Sequence, residues 1–134
     1  MSCQSIPVVT TRTNFYTQNK CPVNNPLFDQ APFKQAFGEQ TKWSKTKKKR
    51  RGFALVVHGL NLKPSRMNPW VEVLNQQGFD VLRLSLDGHR GSLDEFRTAK
   101  HHAWNEQLFL ATCEIKDKGA KDFVYLGYSL GGLL

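Results

Sequence analysis

The sequence predicts an α/β fold built on a parallel sheet, and three observations predict it. The chain has 134 residues, of which 40% are hydrophobic and 22% charged, as is usual for one globular domain. From residue 52 onward, short β-rich apolar runs alternate with segments of helical spacing. The links between these segments are short, which indicates right-handed crossovers between neighbouring parallel strands. The predicted order is β-α-β-α-β.

The first strand and the first helix are predicted between residues 53 and 78. Residues 53–57 (Phe-Ala-Leu-Val-Val) are wholly apolar, as in a strand buried on both faces of a parallel sheet. Asn68 and Pro69 offer a helix N-cap and a proline at the first helical position, and Gly78 offers a stop. Helical spacing between them is shown by Trp70, Val73, Leu74 and Gln77.

The second strand, the second helix and the third strand follow in the same way. Residues 79–86 are rich in β-forming apolar residues and predict the second strand. One apolar face then steps by 4, 3 and 4 and predicts a helix that ends near Gly119, with Trp104, Leu108, Ala111 and Ile115. Residues 122–126 predict the third strand, which runs directly into Gly127, Tyr128 and Ser129.

Residues 1–51 differ from the rest of the chain in composition and periodicity, and they predict an irregular N-terminal arm. Four prolines (Pro7, Pro22, Pro26 and Pro32) stand among Thr, Asn and Gln without a sustained period of 2 or 3.6. Proline fixes φ and removes a backbone donor, so long helices and central strands are not expected here. We therefore divide the chain into an arm, residues 1–51, and an α/β domain, residues 52–134.

The net charge of +8 comes from one segment at the end of this arm. Seven of the 19 basic residues lie within ten positions, at Lys42, Lys45, Lys47, Lys48, Lys49, Arg50 and Arg51. The remaining 12 basic residues nearly balance the 11 acidic ones. The positive charge is thus not spread over a face of the fold, and no nucleic-acid partner is expected. The run is interpreted as a solvated linker, with binding to an anionic surface such as phospholipid or nucleic acid as the alternative.

The cysteines and the N-terminus bear on redox state and location. Cys3, Cys21 and Cys113 are too few and too scattered for a disulfide framework, and Cys113 is expected to be buried as a small apolar residue. No metal-ligand spacing or cofactor motif is visible, so no metal and no cofactor are expected. Without a recognisable signal segment the expected location is cytoplasmic. The alternative is a membrane-anchored lipoprotein whose mature chain begins at Cys3.

The third predicted strand ends in a Gly-x-Ser-x-Gly pattern, formed by Gly127, Ser129 and Gly131. A serine at a strand-to-helix corner adopts a strained backbone that exposes its hydroxyl, and the flanking glycines permit the close approach of strand and helix. The free N–H groups of the next turn favour an oxyanion, which makes the Leu130 N–H a candidate donor. Leu60, which follows His58 and Gly59 at the end of the first strand, is the candidate second donor.

These strand-end residues together resemble the α/β-hydrolase fold. The resemblance is carried by His-Gly-Leu at 58–60, Asp-Gly-His-Arg-Gly-Ser at 87–92 and Gly-Tyr-Ser-Leu-Gly-Gly at 127–132. More narrowly, it is to the lysophospholipase, monoacylglycerol lipase and serine aminopeptidase branch. The resemblance covers residues 52–134, the first half of such a domain. It implies that Ser129 is the nucleophile and that Leu60 and Leu130 form the oxyanion hole, with Gly59, Gly127 and Gly131 as loop and elbow glycines.

The sequence departs from this family in two ways. The loop at 87–92 is shorter than the usual Asp-x-x-Gly-His-Gly-x-Ser, which affects shape more than chemistry. In this fold the triad runs Ser, then Asp or Glu, then His, whereas the sequence has five residues after Ser129. All four histidines (His58, His89, His101 and His102) precede the serine and are interpreted as structural or exposed. We therefore expect a fragment that is nearly inactive alone, since serine without a base is a poor nucleophile.

The sequence thus favours a serine hydrolase of carboxylic esters, with lysophospholipid or acylglycerol as the substrate class. A serine aminopeptidase-like hydrolase is the nearest enzymatic alternative. A non-catalytic truncated product, or a small module whose basic run binds an anionic surface, is the alternative without turnover. A flavodoxin-like or Rossmann-type domain with a chance Gly-x-Ser-x-Gly is disfavoured, because the first strand ends in His58 and Gly59 rather than in a glycine-rich phosphate loop.

Overall fold

A computed structural model describes residues 20–28, 39–89 and 93–134 of the chain. The expectations for Cys3, Pro7, Pro32 and residues 90–92 lie outside these ranges. No helix among the described residues is long and apolar enough to cross a membrane.

The described residues form one four-stranded sheet. Its strands are β1 (Lys42–Ser44), β2 (Gly52–Val57), β3 (Phe79–Leu84) and β4 (Val124–Gly127), in the order β1-β3-β2-β4. Strand β2 pairs in parallel with both β3 and β4, which confirms the predicted parallel sheet. Strand β1 was not predicted, and it pairs antiparallel with β3 at the edge of the sheet. The predicted arm therefore contributes an edge strand. Edge strands are the positions in a sheet where a proline-containing segment is tolerated.

Within the described ranges, three α-helices connect the strands: α1 (Asn68–Gln76), α2 (Leu93–Thr98) and α3 (His101–Asp117). Single 3-10 turns occur at Pro26–Phe28, Pro64–Met67 and Ser129–Gly132. The turn before α1 moves the N-cap to Met67, so the prediction of Asn68 as the cap was wrong. The predicted stops are confirmed, since Gly78 and Gly119 both have a φ of +91°. Helix α2 was not predicted, and none of its residues is buried.

The sheet is packed on both faces. Helix α3 covers one face, where its buried residues pack against those of β2 and β3. The helix contributes Leu108, Ala111 and Ile115, and the strands contribute Leu55, Val57, Leu82 and Leu84. Helix α1 covers the other face through Val71 and Leu74, together with Met67 from the turn before it. The predicted face of α1 was therefore wrong in part: Leu74 packs against the sheet, but Trp70 and Val73 are 42% and 48% exposed.

Part of the arm is fastened to α3 by a disulfide between Cys21 and Cys113. Cys113 is buried, as predicted, but the expectation that it is unpaired was wrong. The two cysteines are 92 residues apart in sequence, and spacing alone gives no sign that they meet. The Asn25 side-chain amide also donates to the Leu110 carbonyl at 2.7 Å, and Leu27 is 1% exposed against the core. The division of the chain at residue 52 stays a prediction.

Candidate functional site

The sharpest local feature of the structure is the backbone of Ser129. Its φ is +52°, the one positive φ among the non-glycine residues that the structure describes. This left-handed conformation costs an L-residue roughly 1–2 kcal/mol. Ser129 stands where β4 ends and the last 3-10 turn begins, and it is exposed. The chain therefore makes the strained strand-to-helix turn that the Gly-x-Ser-x-Gly pattern predicts.

Three glycines allow this turn to lie against the end of β2. A methyl group on Gly127 would meet the backbone of Gly131 and Gly132, the latter at 2.6 Å. On Gly131 it would meet the carbonyl oxygens of Val57 and His58, the latter at 2.7 Å. On Gly59 it would come within 3.2 Å of the Ser129 Cβ. The loop after β2 and the turn at Ser129 are thus in direct contact, and a side chain at Gly127 or Gly131 would collide with backbone atoms.

The peptide between Gly59 and Leu60 is held in one orientation. The Gly59 carbonyl accepts hydrogen bonds from the His58 ring (Nδ1, 2.9 Å) and from the Leu62 N–H (3.2 Å). In a trans peptide the N–H points opposite to the carbonyl, so the Leu60 N–H faces away from His58. Within the described part of the chain, the N–H groups of Leu60 and Leu130 donate no hydrogen bond. Both predicted oxyanion donors are therefore available to a ligand.

His58 is a buried structural residue. Its Nε2 accepts the Leu86 N–H at 2.9 Å, which leaves the proton on Nδ1 for the Gly59 carbonyl. Burial lowers the pKa of His58 to about 4, with a smaller contribution from nearby His89, while the bond to Gly59 acts in the opposite direction. The ring is neutral at pH 7 and both nitrogens are engaged, so it is no general base.

His89 supports the next peptide of the same loop. Its ring is 8% exposed and lies against that of His58, with centroids 4.7 Å apart. The two ring nitrogens face carbonyl oxygens, Nε2 that of Leu60 at 2.5 Å and Nδ1 that of Asp87 at 3.1 Å. The shorter contact assigns the donated proton to Nε2. Successive carbonyls of the loop, Gly59 and Leu60, are thus each held by an imidazole.

The far end of the same loop is fixed by a partly buried polar network. Glu39 accepts hydrogen bonds from the backbone N–H and the hydroxyl of Ser65, at 2.8 and 2.6 Å. Arg83, which is 1% exposed, donates to the Asn68 side chain at 2.6 Å and to the Gln40 carbonyl at 2.9 Å. Burial lowers the pKa of Arg83, and the charge of Glu39 opposes this shift. The loop that carries Leu60 is therefore anchored at both ends.

The sequence did not reveal these supporting contacts. Position 89 was read as part of a loop that shapes the structure, and the structure agrees in kind, but its partner Leu60 is 29 residues away. The Tyr125 hydroxyl donates to the Gly131 carbonyl behind the elbow and was also missed. Contacts between strand ends depend on the sheet order, which one sequence does not display.

The described residues give Ser129 no partner that could activate it. Its hydroxyl makes no hydrogen bond with a histidine or a carboxylate there, and His101 and His102 are exposed at the start of α3. No group of three or more His, Cys, Asp or Glu side chains in the described ranges could hold a metal ion. The site therefore consists of an exposed strained serine, two free backbone donors and the contacts that position them.

Comparisons with known proteins agree with the architecture. No family model matches the sequence, and no curated protein matches it. A solved structure described under "LipS and LipT, two metagenome-derived lipolytic enzymes" is similar, with a TM-score of 0.60 and 23% identity. The similarity covers 71% of this chain and 37% of that chain, so this sequence spans well under half of its neighbour's length. The described residues have an α/β-hydrolase-like fold.

Proposed function

We propose that this chain carries the nucleophile and the oxyanion hole of a serine hydrolase that acts on carboxylic esters. The observation that carries the proposal is the φ of +52° at the exposed Ser129, directly beside the loop of Gly59 and Leu60. A strained backbone at an exposed serine is costly, and such strain is characteristic of functional sites. The likeness to a structure described as lipolytic favours ester chemistry over peptide chemistry.

In the proposed mechanism, the Ser129 hydroxyl attacks the ester carbonyl and the carbonyl oxygen becomes an oxyanion. The N–H groups of Leu60 and Leu130 donate to this oxyanion, and one such donor contributes about 3 kcal/mol to the stability of the transition state. Collapse of the tetrahedral intermediate breaks the bond to the alcohol and leaves an acyl group on Ser129. Water then attacks the acyl-enzyme, which releases the carboxylic acid and restores the serine.

The mechanism needs a base that accepts the Ser129 proton and passes it to the leaving alcohol, and that then takes a proton from the attacking water and returns it to Ser129. His58 and His89 are engaged with backbone groups, so neither supplies it. The proposal takes the acid and the histidine of the triad from outside these 134 residues, as the order Ser, acid, His implies. The intact mass of the native polypeptide tests this directly, and a mass well above 15.3 kDa is expected.

A fluorophosphonate probe tests the nucleophile. The native polypeptide should be labelled at Ser129, and Ser129→Ala should remove the label. Ser92→Ala serves as the serine control and should leave labelling at Ser129 in place. Labelling that persists in Ser129→Ala would contradict the proposal. Labelling of the 134-residue chain at the full rate would show that the base lies within it.

The substrate class of the proposal is a lysophospholipid or an acylglycerol. A panel of soluble aryl esters, lysophosphatidylcholine, monoacylglycerol and aminoacyl amides separates the alternatives. Turnover of the esters without turnover of the aminoacyl amides is expected. The opposite pattern would favour the serine aminopeptidase alternative.

A further inference from the structure

The strongest feature that the proposed site does not use is a groove at the amino-terminal end of the parallel strands, opposite the elbow. Residues 48–51 form one wall, and residues 76–78, where α1 ends, form the other. The groove has a volume of about 550 Å³. Because β2 begins at Gly52 and ends at Val57 beside the elbow, the two ends are separated by roughly 20 Å of strand.

The backbone of this basic loop, residues 45–51, is fixed to the fold. The Thr46 N–H donates to the Asp80 carboxylate at 2.8 Å, and the Thr46 hydroxyl donates to the Asn75 carbonyl at 2.6 Å. At the other end the Arg51 N–H donates to the Gly78 carbonyl at 2.7 Å. The interpretation of the run as a solvated linker is therefore wrong for its backbone, although its charged side chains are exposed.

The cations of the loop fall into two groups. Arg50 pairs with Asp80 at 3.6 Å and covers the Phe53 ring, and Arg51 reaches the Gln77 carbonyl and covers the Phe79 ring. Lys47, Lys48 and Lys49 are exposed, and within the described part of the chain no carboxylate pairs with them. The two arginines thus contact the fold, while three consecutive lysines are exposed and meet no carboxylate among the residues that the structure describes.

We propose that the basic loop docks the domain on an anionic phospholipid bilayer, with the elbow of Ser129 facing away from the membrane. A fixed cluster of lysines over a broad groove suits a dense array of lipid phosphates, and each cation near such a surface adds to the affinity. Single-stranded nucleic acid is less well suited, because the groove offers no free ring for base stacking: Phe53 and Phe79 lie under Arg50 and Arg51. This proposal does not depend on the proposed catalysis.

Sedimentation with vesicles tests the docking. The 134-residue chain should sediment with phosphatidylglycerol-rich vesicles, should not sediment with pure phosphatidylcholine vesicles, and should be released by high salt. Replacing Lys47, Lys48 and Lys49 by Gln should weaken binding about a hundredfold. The matched control replaces Lys63, Arg66 and Lys100 by Gln, which removes the same charge from exposed positions that follow the carboxyl ends of β2 and β3, and it should weaken binding by about threefold or less. Equal losses in the two triple variants would overturn the basic loop as the docking surface.

Hydrogen exchange on the vesicles tests the orientation. Protection is expected in residues 45–51 and 76–78, and exchange in residues 58–62 and 127–131 should not change. Protection of the second pair of segments would overturn the orientation. Tighter binding to an oligonucleotide than to the vesicles, lost in the same triple variant, would overturn the choice of a lipid partner. Circular dichroism melts of both triple variants establish that each is folded.

Discussion

The two ends of the parallel strands use backbone and side chains in opposite ways. At the carboxyl end, here called the elbow end, the groups proposed to act are one strained serine and two peptide N–H groups, and buried histidines, glycines and Arg83 hold them in place. At the amino end, here called the basic end, the side chains are the exposed groups, and Thr46 and Arg51 hold the backbone beneath them. The elbow end therefore depends on the positions of single atoms, and the basic end depends on the total charge. Substitutions should separate these two dependences.

The largest effect is expected from Gly131→Ala. The added methyl group would meet the carbonyl oxygens of Val57 and His58, which belong to the backbone and cannot rotate away. We expect a loss of on the order of 3–5 kcal/mol in the free energy of unfolding, measured by urea denaturation. Gly132→Ala is the matched control, since its methyl group would lie 3.4 Å from the Gly127 carbonyl, an ordinary contact. Equal losses at both positions would mean that the elbow does not depend on this close approach.

A second test uses the protonation of His58. Its pKa of about 4 in the folded chain lies below its ordinary value of 6.5, so the unfolded chain binds more protons between these values. The contribution of His58 to the free energy of unfolding should therefore be fully present above pH 6.5. The free energy of unfolding should fall by about 3 kcal/mol as the pH drops to 4.

His58→Gln is the reference for this measurement, because its side chain does not titrate. The variant should be less stable at pH 7, and the difference between it and the parent chain should shrink as the pH falls. A constant difference from pH 7 to pH 4 would show that His58 does not supply the pH dependence.

A finer test of the elbow end uses the hydrogen bond that His89 makes to the Leu60 carbonyl. In His89→Gln the amide can take the place of Nε2 and keep the bond to the Leu60 carbonyl, whereas the shorter side chain of His89→Asn reaches only the position of Nδ1. We expect the rate of fluorophosphonate labelling to fall about tenfold in the Asn variant and to be largely kept in the Gln variant. The rates are measured on the native polypeptide. Similar rates in the two variants would assign the role of His89 to ring packing rather than to the hydrogen bond.

The smallest effect is expected at the basic end of the strands. Lys48→Gln should change the free energy of unfolding by no more than about 0.5 kcal/mol, because the side chain is exposed and has no carboxylate partner among the described residues. Thr46→Ala is the contrasting variant, since it removes hydrogen bonds to the Asn75 carbonyl and from the Lys48 N–H. It should cost about 1–2 kcal/mol in a thermal melt. A larger loss for Lys48→Gln than for Thr46→Ala would reverse our division of the loop.

The parts of the fold that follow from local pattern were predictable, and the parts that follow from distant contacts were not. The strand at 53–57, the helix around Leu108 and the turn at Ser129 each have a signal in adjacent residues, and all three occur. The edge strand at Trp43 has no such signal, since its three residues become a strand only by pairing with β3. The same reason explains why the partner of Cys113 and the partner of His89 were missed.

The combined geometry bears on how substrate would reach Ser129. If the basic loop rests on a bilayer, the serine lies on the side that faces water, roughly 20 Å from the lipid phosphates. Substrates that leave the bilayer easily, such as single-chain lysophospholipids, would then be favoured over lipids with two acyl chains.

The disulfide between Cys21 and Cys113 gives the chain a dependence on its surroundings. Disulfides form and persist in oxidising compartments and are reduced by glutathione in the cytosol. Where the bond is reduced, residues 20–28 would be held to α3 by little more than buried Leu27 and the hydrogen bond from Asn25. In an oxidising compartment residues 20–28 would thus be covalently tied to α3, and in a reducing compartment they would be held by noncovalent contacts alone.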